Sequence, residues 1–458
     1  MWYNKKKVVA KKKGVCNHGR ALRRSRKRLE NNPIQEYEKI RRKYLPNLYQ
    51  WIEQIEDPRN QSYISYGMRA MIGTILYKNL IGLVSMRSMN EQFEEEEISE
   101  KVYHYLGEKA RGELPHSQTL NDLLSRIKPE EIEKIRKKMV YSLIRRKSFD
   151  AAKYKKTWPV YVDGTELYSG KRKLNEHCLE KRHKKGTNDE KICYQSAVLE
   201  AKIDFGGSLL ASIGSEFIEN AGEDAEQQRG RGVEQIKQDC EIKAFRRLSA
   251  KLKKQFPRLP IRIQGDSLYA CGPVFGICEE NKWQYLLRYK GGSIPSIEEE
   301  FVNIPEKGRV EYNCKEKGTY GTIEFVNDIS YQTYTVHMLR CTEHTAKGET
   351  KQFQFLSSTH ISNQNAKSLM EQGRNRWKIE NQGFKRQKRE AQRITHVCCW
   401  NAQAMKNHYL LQQIADFLRK LYEIQCLNRH GIQKTQRKIS SDLLHGLYLP
   451  ITEPEDTS

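Results

Sequence analysis

The stretch "PVYVDGTEL", residues 159–167, decides how the rest of this chain is read. β-favouring apolar residues run up to Asp163, and a glycine follows at once. A strand that closes on an aspartate and a small residue has two uses. The aspartate can start a turn or cap a helix. Or it can stand at a strand end, where open α/β sheets hold their ligands. The pattern recurs in "IRIQGDSLY" at 261–269, with Asp266 in the same place.

Working outward, "CYQSAVLEAKIDF" (193–205), "SLLASIGSEFI" (208–218) and "WQYLLRYK" (283–290) also read as strands. A charged helical run over 222–256, ending at "FPRLP", separates the third strand from the fourth. Three strands in sequence, then helix, strand, helix and strand, predict a mixed α/β sheet with hairpin and crossover connections. Upstream, residues 36–150 read as wholly helical. "DPRNQS" at 57–62 is a turn before an apolar helix over 63–86. Two helices follow in 114–144. Ser117 or Thr119 is placed to cap the first, and Pro129, with Glu130 and Glu131, starts the second. Their short turn suits a helix-turn-helix and equally any helical bundle. Residues 291–356 carry strand texture with glycine turns. A helix is expected from about Asn365 through 390, and helical pattern continues through 401–424. "ITEPEDTS" at the end reads as disordered.

The 458 residues hold 81 Lys and Arg against 57 acids, a formal net charge of +24. A balance this basic suits a polyanionic partner, though a merely soluble basic protein shares it. Residues 1–28 contain twelve Lys or Arg and no acid. No apolar stretch follows, so this is a basic arm rather than a secretory signal. "MIGTILY" at 71–77 stops at Lys78, and no run is long enough to span a membrane. The eleven cysteines include no CxxC pair, as expected of reduced thiols in an intracellular protein. Cys16 with His18, and Cys178 with His183, lack the second ligand pair a zinc site needs.

The basic segment "RNRWKIENQGFKRQKRE", 374–390, encloses a lone acid, Glu380. Three readings compete. Glu380 can pair with Arg376 on a solvated helix face. It can temper a nucleic-acid-binding arm. Or it can join Asp163 and Asp266 around divalent cations, since hard ions take oxygen ligands and relieve the repulsion of crowded carboxylates. Two such ions can clamp the attacking and leaving oxygens of a phosphodiester.

With these three acids in this order, the chain resembles the DDE transposases of bacterial insertion sequences, which have an RNase H-like core. The resemblance spans roughly 40–425 and extends to "LPHSQTLNDLL" and "NAQAMKNHYLL". It is closest to the subgroup with a β insertion before the glutamate, the place filled here by 291–356. That subgroup's signature around the glutamate is met by Arg376 and Glu380. Its tyrosine position holds Gly373 and its lysine position Gln387, with Lys388 next to it.

The resemblance implies an RNase H-like mixed sheet with flanking helices, a helical N-terminal domain and an inserted β subdomain. The layout is a basic arm (1–35), a helical DNA-end-binding domain (36–150), a catalytic core (151–290 and 357–400) split by the insertion (291–356), and a C-terminal helical segment and tail (401–458). It implies Asp163, Asp266 and Glu380 as catalytic ligands of two Mg2+, with Mn2+ able to substitute. The partners implied are double-stranded DNA, as terminal inverted repeats and target, and a second copy of the chain on paired ends. The setting implied is a bacterial cytoplasm, at the nucleoid. DNA contacts fall to Arg376, Lys388, Trp377, Lys385, Lys184 and Lys185. Trp377 can instead pack in the core, and 180–191 can be a solvated loop. On a regular helix of about 100° per residue, position 387 points close to Glu380, Lys388 lies about 80° away and Lys385 about 140°. Glu166, three residues after Asp163, is expected on the other strand face. Cys398 and Cys399 are expected as small core residues. A metal-dependent nuclease on the same core, or a DNA-binding protein without catalysis, remain the alternatives.

Overall fold

The computed structural model describes residue 29 and residues 32–184, 186–220, 240–314, 318–345, 348–389 and 393–451. Residues 1–28 of the basic arm, Lys185, the run 221–239 and the final 452–458 lie outside them.

Ten strands among the described residues form one mixed sheet. They are β1 (Trp158–Gly170), β2 (Leu179–His183), β3 (Lys191–Asp204), β4 (Leu210–Ile218), β5 (Ile261–Gln264), β6 (Gln284–Tyr289), β7 (Gly308–Cys314), β8 (Thr319–Tyr331), β9 (Tyr334–Thr345) and β10 (Thr350–Ser357). Their spatial order is β2-β3-β1-β5-β6-β10-β9-β8-β7, with β4 also on β3. β1, β3 and β4 are antiparallel neighbours. The helix Glu241–Gln255 then crosses to β5, which runs parallel to β1, and the helix Gly272–Asn281 leads to β6, parallel to β5. The first crossover helix buries Ala244, Phe245, Leu248 and Leu252, one face at helical spacing. Leu248 and Leu252 fill the space left by the missing side chain of Gly214 on β4. Each such Leu or Phe stabilises the fold by roughly 1.5–3 kcal/mol through burial.

β2 was not expected. Residues 180–191 are read above as a loop, but Leu179–His183 pair with Lys191–Gln195 as an edge hairpin. Three of its five side chains are exposed, so the sequence shows no buried alternation there. The insertion is also less separate than expected. β10 pairs antiparallel with β6, so the inserted strands continue the core sheet. They enclose a second apolar cluster, with Leu286, Phe325, Leu339 and Phe355 packed on Leu369 and Met370.

The N-terminal helices do not form a core of their own. One apolar cluster runs from Leu29 through Ile72, Ile75, Leu120 and Met139, across the sheet, to Leu411, Leu418 and Leu447. The apolar helix starts at Met68 rather than 63 and is buried on every side but Arg69. The two helices of 114–144 are Ser117–Arg126 and Pro129–Ile144. The first is capped by the His116 side chain, which accepts from the Gln118 N–H; Ser117 is already helical and bonds Asn90 instead. The second helix lies against the core with only Glu130 and Lys134 exposed. The helix Ala402–Tyr422 threads between these parts. Its Asn407 amide donates to the carbonyls of Leu124 (2.8 Å) and Ile127 (2.7 Å), which the preceding helix end leaves open. Among the described residues, no helix is long and apolar enough to cross a membrane.

Candidate active site

The parallel pairing of β1 with β5 places the two aspartates. Trp158 faces Ile261, and the register advances one for one to Tyr161 opposite Gln264. Two residues further along each chain stand Asp163 and Asp266; Asp266 lies just past the end of β5, but Asp163 does not close its strand as the sequence suggested, because β1 runs on to Gly170 along β3. A hydrogen bond from the Arg288 N–H to the Gly265 carbonyl (3.0 Å) keeps β6 alongside this end. The Asp266 carboxylate accepts from the Leu268 N–H (2.9 Å), which turns the chain away from the sheet.

Glu380 arrives on a broken helix. The helix Ala366–Arg374 ends, a π-helical turn spans Ile379–Lys385, and regular helix resumes over Arg386–Arg389. The turn is pinned to the sheet. Ile379 and Phe384 pack with Tyr161 and Leu210, and the Lys378 ammonium meets Asp204 at 2.8 Å, where the Tyr161 hydroxyl also donates. Arg376 then links the acids. Its guanidinium lies 2.7 Å from the Glu380 carboxylate and 3.9 Å from that of Asp163.

Burial pushes the Asp163 carboxyl up to about 7; Glu380, Asp266 and Glu241 add to the rise, and Arg376 opposes it. The acids thus share one electrostatic neighbourhood. Among the described residues, however, no three His, Cys, Asp or Glu side chains stand close enough together to hold a metal ion. The three acids fit a hard divalent ion in kind, since they offer oxygen donors on a partly desolvated carboxylate with more negative charge than one arginine offsets.

The widened turn overturns the helical-wheel expectation for position 387. Gln387 does not point toward Glu380. It is fully buried, and its amide donates to Gln413 (3.0 Å) and Asp416 (2.9 Å) and accepts from the Lys202 ammonium (3.4 Å). One extra residue per turn rotates everything that follows. Lys388 lies within the electrostatic reach of Glu166 and Asp163. Burial holds its pKa down, while Glu166 and Asp163 draw it back up. Lys385 is exposed. Trp377 is 46 % exposed, so it is not a core residue. Lys184 lies at the hairpin tip, paired with Asp189 at 3.0 Å. Glu166 is exposed, just before an irregularity in the β1–β3 pairing. Gly373, where the resembled family has tyrosine, lies against Phe355: a Cβ there would come within 2.6 Å of the ring.

Two site residues escape a reading by motif. Glu241, the first residue of its helix, reaches Gly164 and Tyr269. Arg288 lies over Phe353 and Phe355, and its charge is disfavoured by burial and by Arg376 and Arg374. Both sit in segments where Glu and Arg are ordinary surface choices, and only the folded sheet brings Glu241 within reach of Asp163 and Arg288 within reach of Arg376.

No family model and no curated protein matches this chain. Among solved structures it is similar to the piggyBac transposase in a cryo-EM synaptic complex with hairpin DNA, at 12 % identity and a TM-score of 0.42, over 91 % of this chain and 80 % of that one. A likeness this slight says nothing of what the chain does.

Proposed function

We propose that this chain is a DNA transposase of the DDE type, cutting phosphodiester bonds at the ends of a mobile element and joining the freed 3′-OH to target DNA. The observation that supports the reading is the β1–β5 register, from which Asp163 and Asp266 each stand two residues on, together with Arg376, which meets both Glu380 and Asp163. The spatial order β4-β3-β1-β5-β6, with three antiparallel strands followed by two parallel ones, supports an RNase H-like core.

In this reading Asp163, Asp266 and Glu380 hold two Mg2+, or Mn2+ in their place. Such ions, when bound, activate the attacking oxygen and stabilise the leaving one. The protein's own side chains do the rest. Arg376 and Lys388 hold the strand's phosphates beside the acids. The exposed Trp377 indole offers a face on which an unpaired base stacks. The formal charge of +24 draws the DNA in. A second copy of the chain on the other element end, and a bacterial insertion sequence as the source, belong to the same proposal.

A second reading, a DNA-binding protein without catalysis, is favoured by one observation: the acids are not gathered to a point. One experiment separates the two. Asp163→Asn, Asp266→Asn and Glu380→Gln each preserve volume and remove a charge. With Mg2+ or Mn2+, each is expected to abolish cleavage of an end-containing duplex and leave binding within a few-fold. Substantial cleavage by any one variant removes that residue from the site; no cleavage by the unmodified protein supports the silent reading.

A further inference from the structure

Arg288 stands on β6 where that strand passes Asp266. The pairing of Ile263 with Tyr285, advanced one for one, sets the two residues side by side on one sheet face. The Arg288 guanidinium makes no ion pair with that acid. It lies over Phe353 and Phe355 of β10, its Cζ 5.2 and 5.5 Å from the ring centroids. Arg374 lies over the same Phe353 ring at 4.7 Å. It closes the helix Ala366–Arg374, and Arg376 follows two residues on. Three guanidinium groups therefore gather on the β6–β10 side of the acids.

Two of the three are neutralised. Arg374 meets the Glu343 carboxylate at 2.6 Å, and Arg376 meets that of Glu380 at 2.7 Å. Arg288 is not. Among the described residues its side chain has no ion pair and no hydrogen bond. Burial, Arg376 and Arg374 all disfavour its charge, and no acid draws it back. An arginine used only to cover phenylalanine rings carries its charge out to water or to an acid. This one ends beside two like charges, where a methionine would cover the rings without repulsion. Stacking occupies the face of the guanidinium and leaves its N–H groups, which lie in the plane, free to donate. That fork matches the oxygens of a phosphate, and an anion placed there relieves the repulsion.

We propose that Arg288 is a phosphate-binding residue, taking one backbone phosphate of a DNA strand between its guanidinium and that of Arg374. The proposal rests on the DNA reading above and needs no metal. The phenyl rings of Phe353 and Phe355 hold the guanidinium in place before the strand arrives, so little side-chain freedom is lost on binding.

The test is the salt dependence of binding between the full chain and a mixed-sequence DNA duplex in EDTA, which suspends any metal chemistry. Arg288→Met keeps the stem over the rings and removes the charge. It is expected to weaken binding by about tenfold and to lower the slope of log K against log salt by about 0.9, one phosphate contact. Arg288→Lys keeps the charge without the fork, so the slope is expected to hold while affinity falls. Arg87→Met removes an exposed charge elsewhere and is expected to leave the slope unchanged. If Arg288→Met keeps the slope of the unmodified protein, Arg288 only packs on the rings, and the proposal falls alone. An equal fall in Arg87→Met would trace the effect to net charge and overturn it as well. Saturable uptake of inorganic phosphate, abolished by Arg288→Met while the DNA slopes agree, would mark a free-anion site and overturn the DNA assignment. If the unmodified protein binds no DNA, the DNA reading falls and takes this proposal with it.

Discussion

Restoring the lysine of the resembled family's signature is expected to harm the protein. Gln387→Lys would put an ammonium where a buried amide now serves Lys202, Gln413 and Asp416. At the present 3.4 Å from the Lys202 ammonium, two unit charges repel by about 5 kcal/mol at an effective dielectric of about 20. Asp416, 2.9 Å away, offers attraction of similar size, so the two nearly cancel. Asp416 already serves Lys420 at 2.9 Å and Arg386 at 3.8 Å, and those cations repel a newcomer. What remains is the desolvation of one more buried ion, several kcal/mol before relaxation. The net expectation is a loss of about 3–5 kcal/mol. Gln387→Met adds no charge and strands only the hydrogen bonds, for about 1–2 kcal/mol. Urea unfolding of the full chain at neutral pH measures both. A Gln387→Lys protein within about 1 kcal/mol of wild type, or no worse than Gln387→Met, would refute the assignment of position 387 to this buried network.

The reach of Lys388 to Glu166 and Asp163 predicts that Lys388→Ala impairs cleavage and strand transfer at saturating DNA, whereas Lys385→Ala weakens binding alone; identical binding-only defects would make Lys388 one more solvated charge. Deleting residues 1–28 is expected to weaken binding to any DNA sequence about equally. The slope of log K against log salt should fall by about 0.9 for each phosphate the arm no longer neutralises. A weakening confined to one sequence would show that the arm reads bases. His408 is buried against Asn121 at 2.8 Å, and burial, aided by Lys78, lowers its pKa to about 3. Its folded value lies below its unfolded one, so its contribution is present above about pH 6.5 and drains away as pH falls toward 3. Wild type should therefore lose urea resistance between about pH 7 and pH 5 more steeply than His408→Gln, and equal slopes would place the pH sensitivity elsewhere.

The core strands were legible because Val, Ile, Leu and Tyr runs carry the β signal; Gly265-Asp266 also marks where β5 stops, but Asp163-Gly164 does not stop β1, which runs on to Gly170. Asp163 and Asp266 follow from that pattern, and their pairing follows from strand order. The Glu380 segment was legible as chemistry and not as geometry. A π-helical turn has no mark in "IENQGFK", so a regular wheel pointed Gln387 toward Glu380 rather than into the buried network it joins. The Ser117–Arg126 and Pro129–Ile144 pair reads as well for DNA as for a bundle, because Arg136 and Glu133 look solvent-facing in a charged helix. They are buried: Arg136 bonds Ser212 at 2.9 Å and Ser215 at 2.6 Å, and the same serines serve Glu200. Long-range polar pairing of this kind leaves no local trace. Glu241 was missed for the same reason.

The continuous core has a consequence for synthesis on the ribosome. The first and last described helices touch: the missing side chain of Gly446 lets the helix Gln436–Tyr448 come within 3.1 Å of the Ile34 Cβ, counted from where a Cβ would stand, and the Asn32 amide donates to the Pro450 carbonyl at 3.2 Å. The helices emerging first therefore cannot complete the burial of their apolar faces until the last ones have been translated. At about 5–20 residues per second, that interval lasts tens of seconds. During it Met68–Leu80 has the cover of Leu106 and its neighbouring helices but not that of Ala402–Tyr422, so chaperone binding to the nascent chain should fade only once that last part has left the exit tunnel.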